Sequence, residues 1–301
     1  MKFGKLSDIS TVDFSLPIDH PQTAHVLAKA TTEQKAPIYF GCPAWGCKDW
    51  VGKIYPPKTK SADFLTYYAK QFNTIELNTT HYRIPTVDTV RKWVEKAGRG
   101  FKFCPKIPQS ISHFGSNLQK VDHLVEDFAL AIHEMGALLG ICFMQLPPHF
   151  SPKHAPHLIR FVENFPLPLS IEFRHPDWFT PSEAVEQVFE AMKKHQVATV
   201  ITDVAGRRDV CHMRLTSPVA VIRFVGNDLH PTDFSRLDVW MERLKAWQGA
   251  GLQEIYFFLH EPDDVHCPEL AEQFIAKANT TLELNLKPIR FYNQEVQGTL
   301  F

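Results

Sequence analysis

The chain has 301 residues, 44% of them hydrophobic, and its 32 lysines and arginines nearly balance 33 aspartates and glutamates. That length and apolar content suffice for one large core and suit an eight-stranded α/β barrel, while the near-neutral charge excludes the global electrostatic footprint of a nucleic-acid or anionic-membrane binder. The N-terminus lacks the residue order of a signal peptide and no apolar run reaches membrane-spanning length, so a cytoplasmic, soluble protein without a membrane partner is expected.

Residues 1–36 are polar, close on the mixed stretch TTEQKAP and carry no strong period. They read as an N-terminal arm that packs on the following domain or stays mobile. From residue 37 a rhythm sets in. Short β-rich segments at 38–42, 74–78, 101–105, 140–146, 169–173, 197–203, 219–225 and 254–260 alternate with segments whose apolar residues recur at helical spacing. One stripe comprises Phe64, Leu65, Tyr68 and Phe72; a second Leu124, Phe128, Met135 and Leu139; a third Val185, Val188, Phe189 and Met192. Leu237, Trp240, Met241, Leu244 and Trp247 mark a fourth, and a last helix is expected from Pro268 through Leu270 and Phe274. Strands that are almost continuously apolar are buried on both faces, which implies parallel strands covered by helices. Eight of them predict an α/β fold of the TIM-type (β/α)8 parallel barrel class, a single domain over 37–284 with a tail at 285–301 packing on the barrel. A doubly wound open sheet is the alternative, but GCPAWG after the first strand is not its GxGxxG phosphate turn. The tail closes on Thr299, Leu300 and Phe301, an apolar triplet suited to plugging the barrel bottom or covering a helix.

The stretch that organises the functional reading is 168–178, PLSIEFRHPDW, an apolar strand that releases Glu172, Arg174 and His175 together at its C-terminal end. The other strands end in a similar way. The first leads to Cys42 and Trp45, the second to Glu76, Asn78, His81 and Tyr82, and the third to Lys106, with Ser112 and His113 in its loop. The fourth ends in Gln145, the sixth in Asp203, the seventh in Arg223 and the eighth in His260 and Glu261. The opposite ends of these strands are mostly apolar, and the C-terminal rim is where barrel enzymes hold their chemistry.

Each member also has a structural reading. Glu172 with Arg174, or Glu76 with Lys106, would serve as ion pairs at the barrel mouth; Asp203 would cap a loop, and Trp45 and Tyr82 would pack the rim. Six cysteines, Cys42, Cys47, Cys104, Cys142, Cys211 and Cys267, include no CxxC pair and fit a reducing compartment.

Taken as a site, the ring offers Glu172 as principal base or metal ligand, Glu76 as second carboxylate, and His175 and Asp203 as assistants. Asn78, Tyr82, Lys106, His113, Gln145, Arg174, Arg223, His260 and Trp45 would bind substrate. Carboxylates with His175 or His260 are ligand types of a divalent-metal site, the one cofactor the sequence raises. Lys106, Arg174 and Arg223 suit a phosphate or carboxylate. The leading expectation is therefore an enzyme, isomerase- or hydrolase-like, acting on a small anionic or sugar-like ligand. A barrel that binds a metabolite or partner without turnover is the alternative. A metal-dependent nuclease is a third reading, resting on the modest basic strip Lys48, Lys53, Lys58 and Lys60; nucleic acid is otherwise not an expected partner.

The segments GCPAWGCKDWVGKIYP, FNTIELNTTHYRIP, FKFCPKIPQSISH, FMQLPPHF, IEFRHPDWF and IRFVGND together resemble the YecE-like family, catalogued as a domain of unknown function. The resemblance runs from about residue 38 to 260 and implies a TIM-barrel fold, with a loose kinship to sugar isomerases that is one of fold and not of activity. It maps the family's shared polar residues onto Glu76, Asn78, Tyr82, Lys106, His113, Gln145, Glu172, Arg174, His175, Asp203 and Arg223. After the eighth strand this chain has FFLHEPDDVHCPEL where many members carry an asparagine-rich motif, with His260 and Glu261 in its stead.

Overall fold

The computed structural model describes residues 4–30, 35–114 and 116–292. Eight strands alternate with helices: β1 Ile38–Gly41, β2 Thr74–Leu77, β3 Lys102–Pro105, β4 Cys142–Gln145, β5 Leu169–Glu172, β6 Ala198–Asp203, β7 Val219–Val225 and β8 Glu254–His260. The helices are α1 Pro21–Leu27, α2 Phe64–Tyr68, α3 Thr79–Tyr82, α4 Val87–Ala97, α5 Gln109–Ser112, α6 Asp122–His133, α7 Ala155–Asn164, α8 Glu183–Lys194, α9 Pro231–Ala250 and α10 Cys267–Thr281. Their ends follow local chemistry. The Ser182 hydroxyl accepts the Val185 N–H at the start of α8, glutamates occupy its first turn and lysines its last, in accord with the helix dipole. Helix α9 opens on Pro231 and stops at Gly251, whose φ of 116° is left-handed backbone that favours glycine.

All strand pairs are parallel. Six strands form one curled sheet in the order β1-β8-β7-β6-β5-β4, and β2 pairs with β3 alone. The sequence leads one to expect a single closed ladder of eight; the observed ladder is interrupted on both sides of the β2–β3 pair, for identifiable reasons.

Between β1 and β2, side chains replace most ladder bonds. The Asn73 carboxamide accepts from Phe40 N (2.7 Å) and donates to Ile38 O (2.9 Å), and the Tyr68 hydroxyl accepts from Cys42 N (2.7 Å). One backbone bond remains there, Glu76 N to Cys42 O at 3.3 Å. The two backbones approach so closely that a Cβ on Gly41 would stand 1.9 Å from Thr74 O.

Between β3 and β4, Gly140 N donates to Phe103 O and Ile107 N to Phe143 O, each at 2.8 Å. The position between Phe103 and Ile107 that faces β4 is Pro105, which has no N–H to give.

Side chains divide by strand parity. Cys104, Phe143, Val200, Val221, Tyr256 and Phe258 turn inward and make a small core enclosed by the curled sheet and β3. Phe40, Ile75, Ile171, Ile201, Ile222 and Phe257 turn outward into the larger core beneath the helices.

The arm runs along α9 and the loop after β6. Gly206 N donates to Gly4 O (2.8 Å), Arg236 lies over the Phe14 ring, and Trp247 Nε1 donates to Asp19 (2.8 Å). Past α10, Tyr292 N donates to Lys53 O (2.7 Å). The apolar triplet 299–301 lies outside the described residues. Among the described residues no helix is long and apolar enough to cross a membrane.

Candidate functional site

The polar ring is the next layer of the inner core. Two residues beyond Cys104, Phe143, Val200, Val221 and Phe258, on the same face of each strand, stand Lys106, Gln145, Thr202, Arg223 and His260. Thr74 on β2 and Ser170 on β5 lead likewise, two residues on, to Glu76 and Glu172. Strand parity thus delivers seven polar side chains to one end of the enclosed space.

They form a continuous network. Arg223 holds Glu76 by two points, Nε to Oε2 at 2.8 Å and Nη2 to Oε1 at 3.0 Å, and reaches Glu172 Oε1 with Nη1 at 3.0 Å. Glu76 also accepts from Asn78 Nδ2 (3.0 Å) and meets His260 Nε2 (3.0 Å). Glu172 accepts from Thr202 Oγ1 (2.7 Å) and Gln145 Nε2, and Arg174 lies 3.5 Å from its Oε2. Lys106 Nζ donates to Gln145 Oε1 at 3.1 Å and lies above the Phe143 ring, as Arg223 does.

The electrostatics follow from burial against pairing. Burial pushes the Glu76 carboxyl up, but Arg223 and His260 outweigh it and hold the group well below the ordinary carboxylate range. Burial opposes ionisation of Glu172 as well; the charges of Arg174 and Arg223 and the Gln145 and Thr202 hydrogen bonds bring it down to about 2. Lys106 moves the other way. Burial and then the Arg223 charge depress its ammonium to about 8, against the pull of Glu76 and Glu172.

Around this floor the remaining expected residues take different places. The His113 ring packs edge-on against His81 at 5.1 Å, and its Nδ1 meets Ser112 Oγ at 2.8 Å. Burial, then the neighbouring His81 and Lys106, push it down to about 4. Tyr82 is 74% exposed on the rim, and so, at 73%, is Phe114. Trp45 packs against Trp93 at 5.9 Å, away from the network. His175 turns to its own loop, where Nδ1 accepts the Asp177 N–H (3.2 Å).

Asp203 corrects the sequence expectation most clearly. Because Thr202 points inward, Asp203 points outward, where it accepts from Trp240 Nε1 (2.8 Å) and pairs with Arg208 and Arg236 beneath the helix layer. Thr202 is the residue that sequence reasoning missed, because β6 is buried on both faces and ATVITD shows no alternation. The basic strip also breaks up, since Lys53 is bound to Glu269 (2.6 Å) and Val265 O while Lys48, Lys58 and Lys60 stay exposed. Among the described residues no group of three His, Cys, Asp or Glu side chains converges as a metal-ligand set, and Arg223 stands between the two carboxylates that the metal reading needs. All six cysteines are free thiols.

A family model described as "Protein of unknown function DUF72" matches residues 39–290. The chain belongs to this family. It is 31% identical over 265 residues to the UPF0759 protein YecE of Escherichia coli (strain K12), spanning 81% of this chain and 94% of that protein. It is 30% identical over 166 residues to the UPF0759 protein YunF of Bacillus subtilis (strain 168), spanning 52% and 57% of the two chains. Among solved structures, a DUF72 family protein from Enterococcus faecalis V583 superposes with a TM-score of 0.65 at 19% identity, covering 84% of this chain and 98% of that one. This DUF72 member therefore shares the family's α/β fold.

Proposed function

We propose that the C-terminal mouth of the strands binds a small anionic, sugar-like ligand and that Lys106 is the group that moves a proton there. The observation that carries this reading is convergence: the Lys106 ammonium and the Arg174 and Arg223 guanidiniums meet Glu76 and Glu172 at one end of the strands, in a cluster almost withdrawn from water. A buried ammonium is costly unless it is paired, and among the described residues Lys106 Nζ donates to the neutral Gln145 amide. Burial and the Arg223 charge loosen its hold on the proton, and a bound phosphate or carboxylate would give it a counter-charge. Gln145, Asn78 and His260 add hydrogen-bonding groups suited to hydroxyls, and Tyr82 and Phe114 offer exposed ring faces beside the mouth.

In this reading the two sheets work as one TIM-type (β/α)8 barrel. The supports are the backbone bonds at the β1–β2 and β3–β4 seams and the Arg223–Glu76 pair between β7 and β2. Glu172, at about 2, is too weak a base for neutral pH, and its role is to orient Lys106 through Gln145 and to hold Arg174. An amine of matched pKa beside an anion clamp suits proton abstraction next to a carbonyl, the step of aldose–ketose isomerisation.

The test is calorimetric titration with inorganic phosphate, a pentose phosphate and the free pentose, followed by NMR of prolonged incubations. Saturable binding of the two phosphates that weakens at least tenfold in both Lys106→Met and Arg174→Met supports the site. Binding that ignores both substitutions, or its absence, overturns it. Tight binding without turnover would make the protein a binder and remove the proton-transfer role of Lys106.

A further inference from the structure

A cavity of about 420 Å³ is lined in part by His260, which also meets Glu76 in the network. Its walls are residues 4–7 and Ile9 of the arm, the loop after β7 and the loop after β8. That volume lies within the range of small-molecule sites. The arm wall lies outside the family match, which begins at residue 39. Leu6, Ile9, Val204 and Val225 make one side apolar.

The other side holds Glu261, only 3% exposed. Its Oε2 accepts the Asp228 N–H at 2.9 Å, while its Oε1 is buried with no hydrogen-bond partner. Gly226 lets the carboxyl lie against the cavity wall, since a Cβ there would stand 2.3 Å from Oε1. A buried acceptor without a donor is costly, and a cavity alongside it gives a donor room to enter. Asp228 and Asp263 also line the cavity, and against these three acids the described lining sets one lysine, the exposed Lys5.

We propose that this cavity is a binding site for a small organic cation, an alkyl- or arylammonium whose N–H groups satisfy Glu261 Oε1 and whose body packs on the apolar arm wall. The charge-assisted hydrogen bond to a desolvated carboxylate provides the affinity, and the wall provides selectivity for a ligand with an apolar part. A bare metal ion is the poorer fit, because no group of three ligating side chains converges among the described residues.

Burial, then the charge of Asp233, raises the Glu261 carboxyl to about 8, with Arg236 behind it, Asp228 beside it and Lys5, Asp263 and His230 across the cavity. The titration is therefore run at pH 9, with the full chain, using butylammonium and its neutral counterpart 1-butanol. Saturable binding of butylammonium is expected, at least tenfold weaker for 1-butanol and at least tenfold weaker in Glu261→Gln. Leu6→Arg, on the 42% exposed arm residue, puts a tethered guanidinium at the cavity and is expected to exclude the amine, so the test does not depend on how Glu261→Gln folds. Equal affinity for amine and alcohol, no saturable amine binding, or unchanged amine affinity in either folded variant overturns the proposal.

Discussion

Arg223 and Glu76 meet in a two-point pair that joins β7 of the six-stranded sheet to β2 of the two-stranded one, with side chains 2% and 0% exposed. No backbone ladder connects those strands, so the guanidinium acts as a cross-brace inside the curled sheet while also holding Glu172. Breaking a buried pair by removing one partner strands the other charge. Arg223→Met is therefore expected to cost about 3–5 kcal/mol at pH 7, read as a lower urea midpoint. Arg223→Lys, which keeps the charge without the fork, should fall between that variant and the parent. An unchanged midpoint in Arg223→Met would refute the brace.

Acid should loosen the same network. Glu172 and Glu76 titrate lower in the folded chain than the 4.5 of an ordinary glutamate, so below that value the unfolded chain binds more protons than the folded one. Their contribution is fully present above about pH 5 and is lost as pH falls through 4.5 towards 2. Urea midpoints measured from pH 7 to 3 should decline over that window, with a shallower decline in Glu172→Gln. Parallel profiles for the two proteins would contradict the assignment.

Lys106 carries the opposite sign. Its ammonium is depressed from 10.5 to about 8, so the folded chain releases that proton first and the group adds stability as pH rises between those values. Lys106→Met should remove this rise and leave neutral-pH stability unchanged or higher, because a poorly compensated charge disappears. Phosphate affinity should fall as pH passes about 8 in the parent and stay low throughout in the variant. Titration curves that ignore Lys106 would detach it from the anion site.

Asp203 is expected to matter for the fold and not for the ligand. Asp203→Asn keeps an acceptor for Trp240 Nε1 but leaves Arg208 and Arg236 without their shared carboxylate. The expected cost is about 2–4 kcal/mol of stability, with phosphate affinity unchanged within twofold. A selective loss of binding with normal stability would return Asp203 to the mouth.

What the residue order determined by itself was the number and place of the strands. Apolar runs separated by helical stripes locate all eight to within a residue or two at each end, and the polar residues that follow them name most of the network. The short helices α3 and α5 escape this reading, because four residues hold too little of a 3.6-residue period to show.

Tertiary structure alone decided the rest. In a strand buried on both faces, Thr202 and Asp203 both sit in an apolar setting, and sequence carries no mark of which one faces the enclosed space. Only packing against Trp240 on one side and Glu172 on the other separates them. The same holds for the ladder. Its interruption beside β2 and β3 depends on Tyr68 and Asn73 reaching the β1 backbone and on the direction in which Pro105 faces, relations between segments that no local pattern encodes. Ionisation was decided last of all, since Glu172 at about 2 and Lys106 at about 8 both owe their values in part to Arg223, which lies on a strand far along the chain from either.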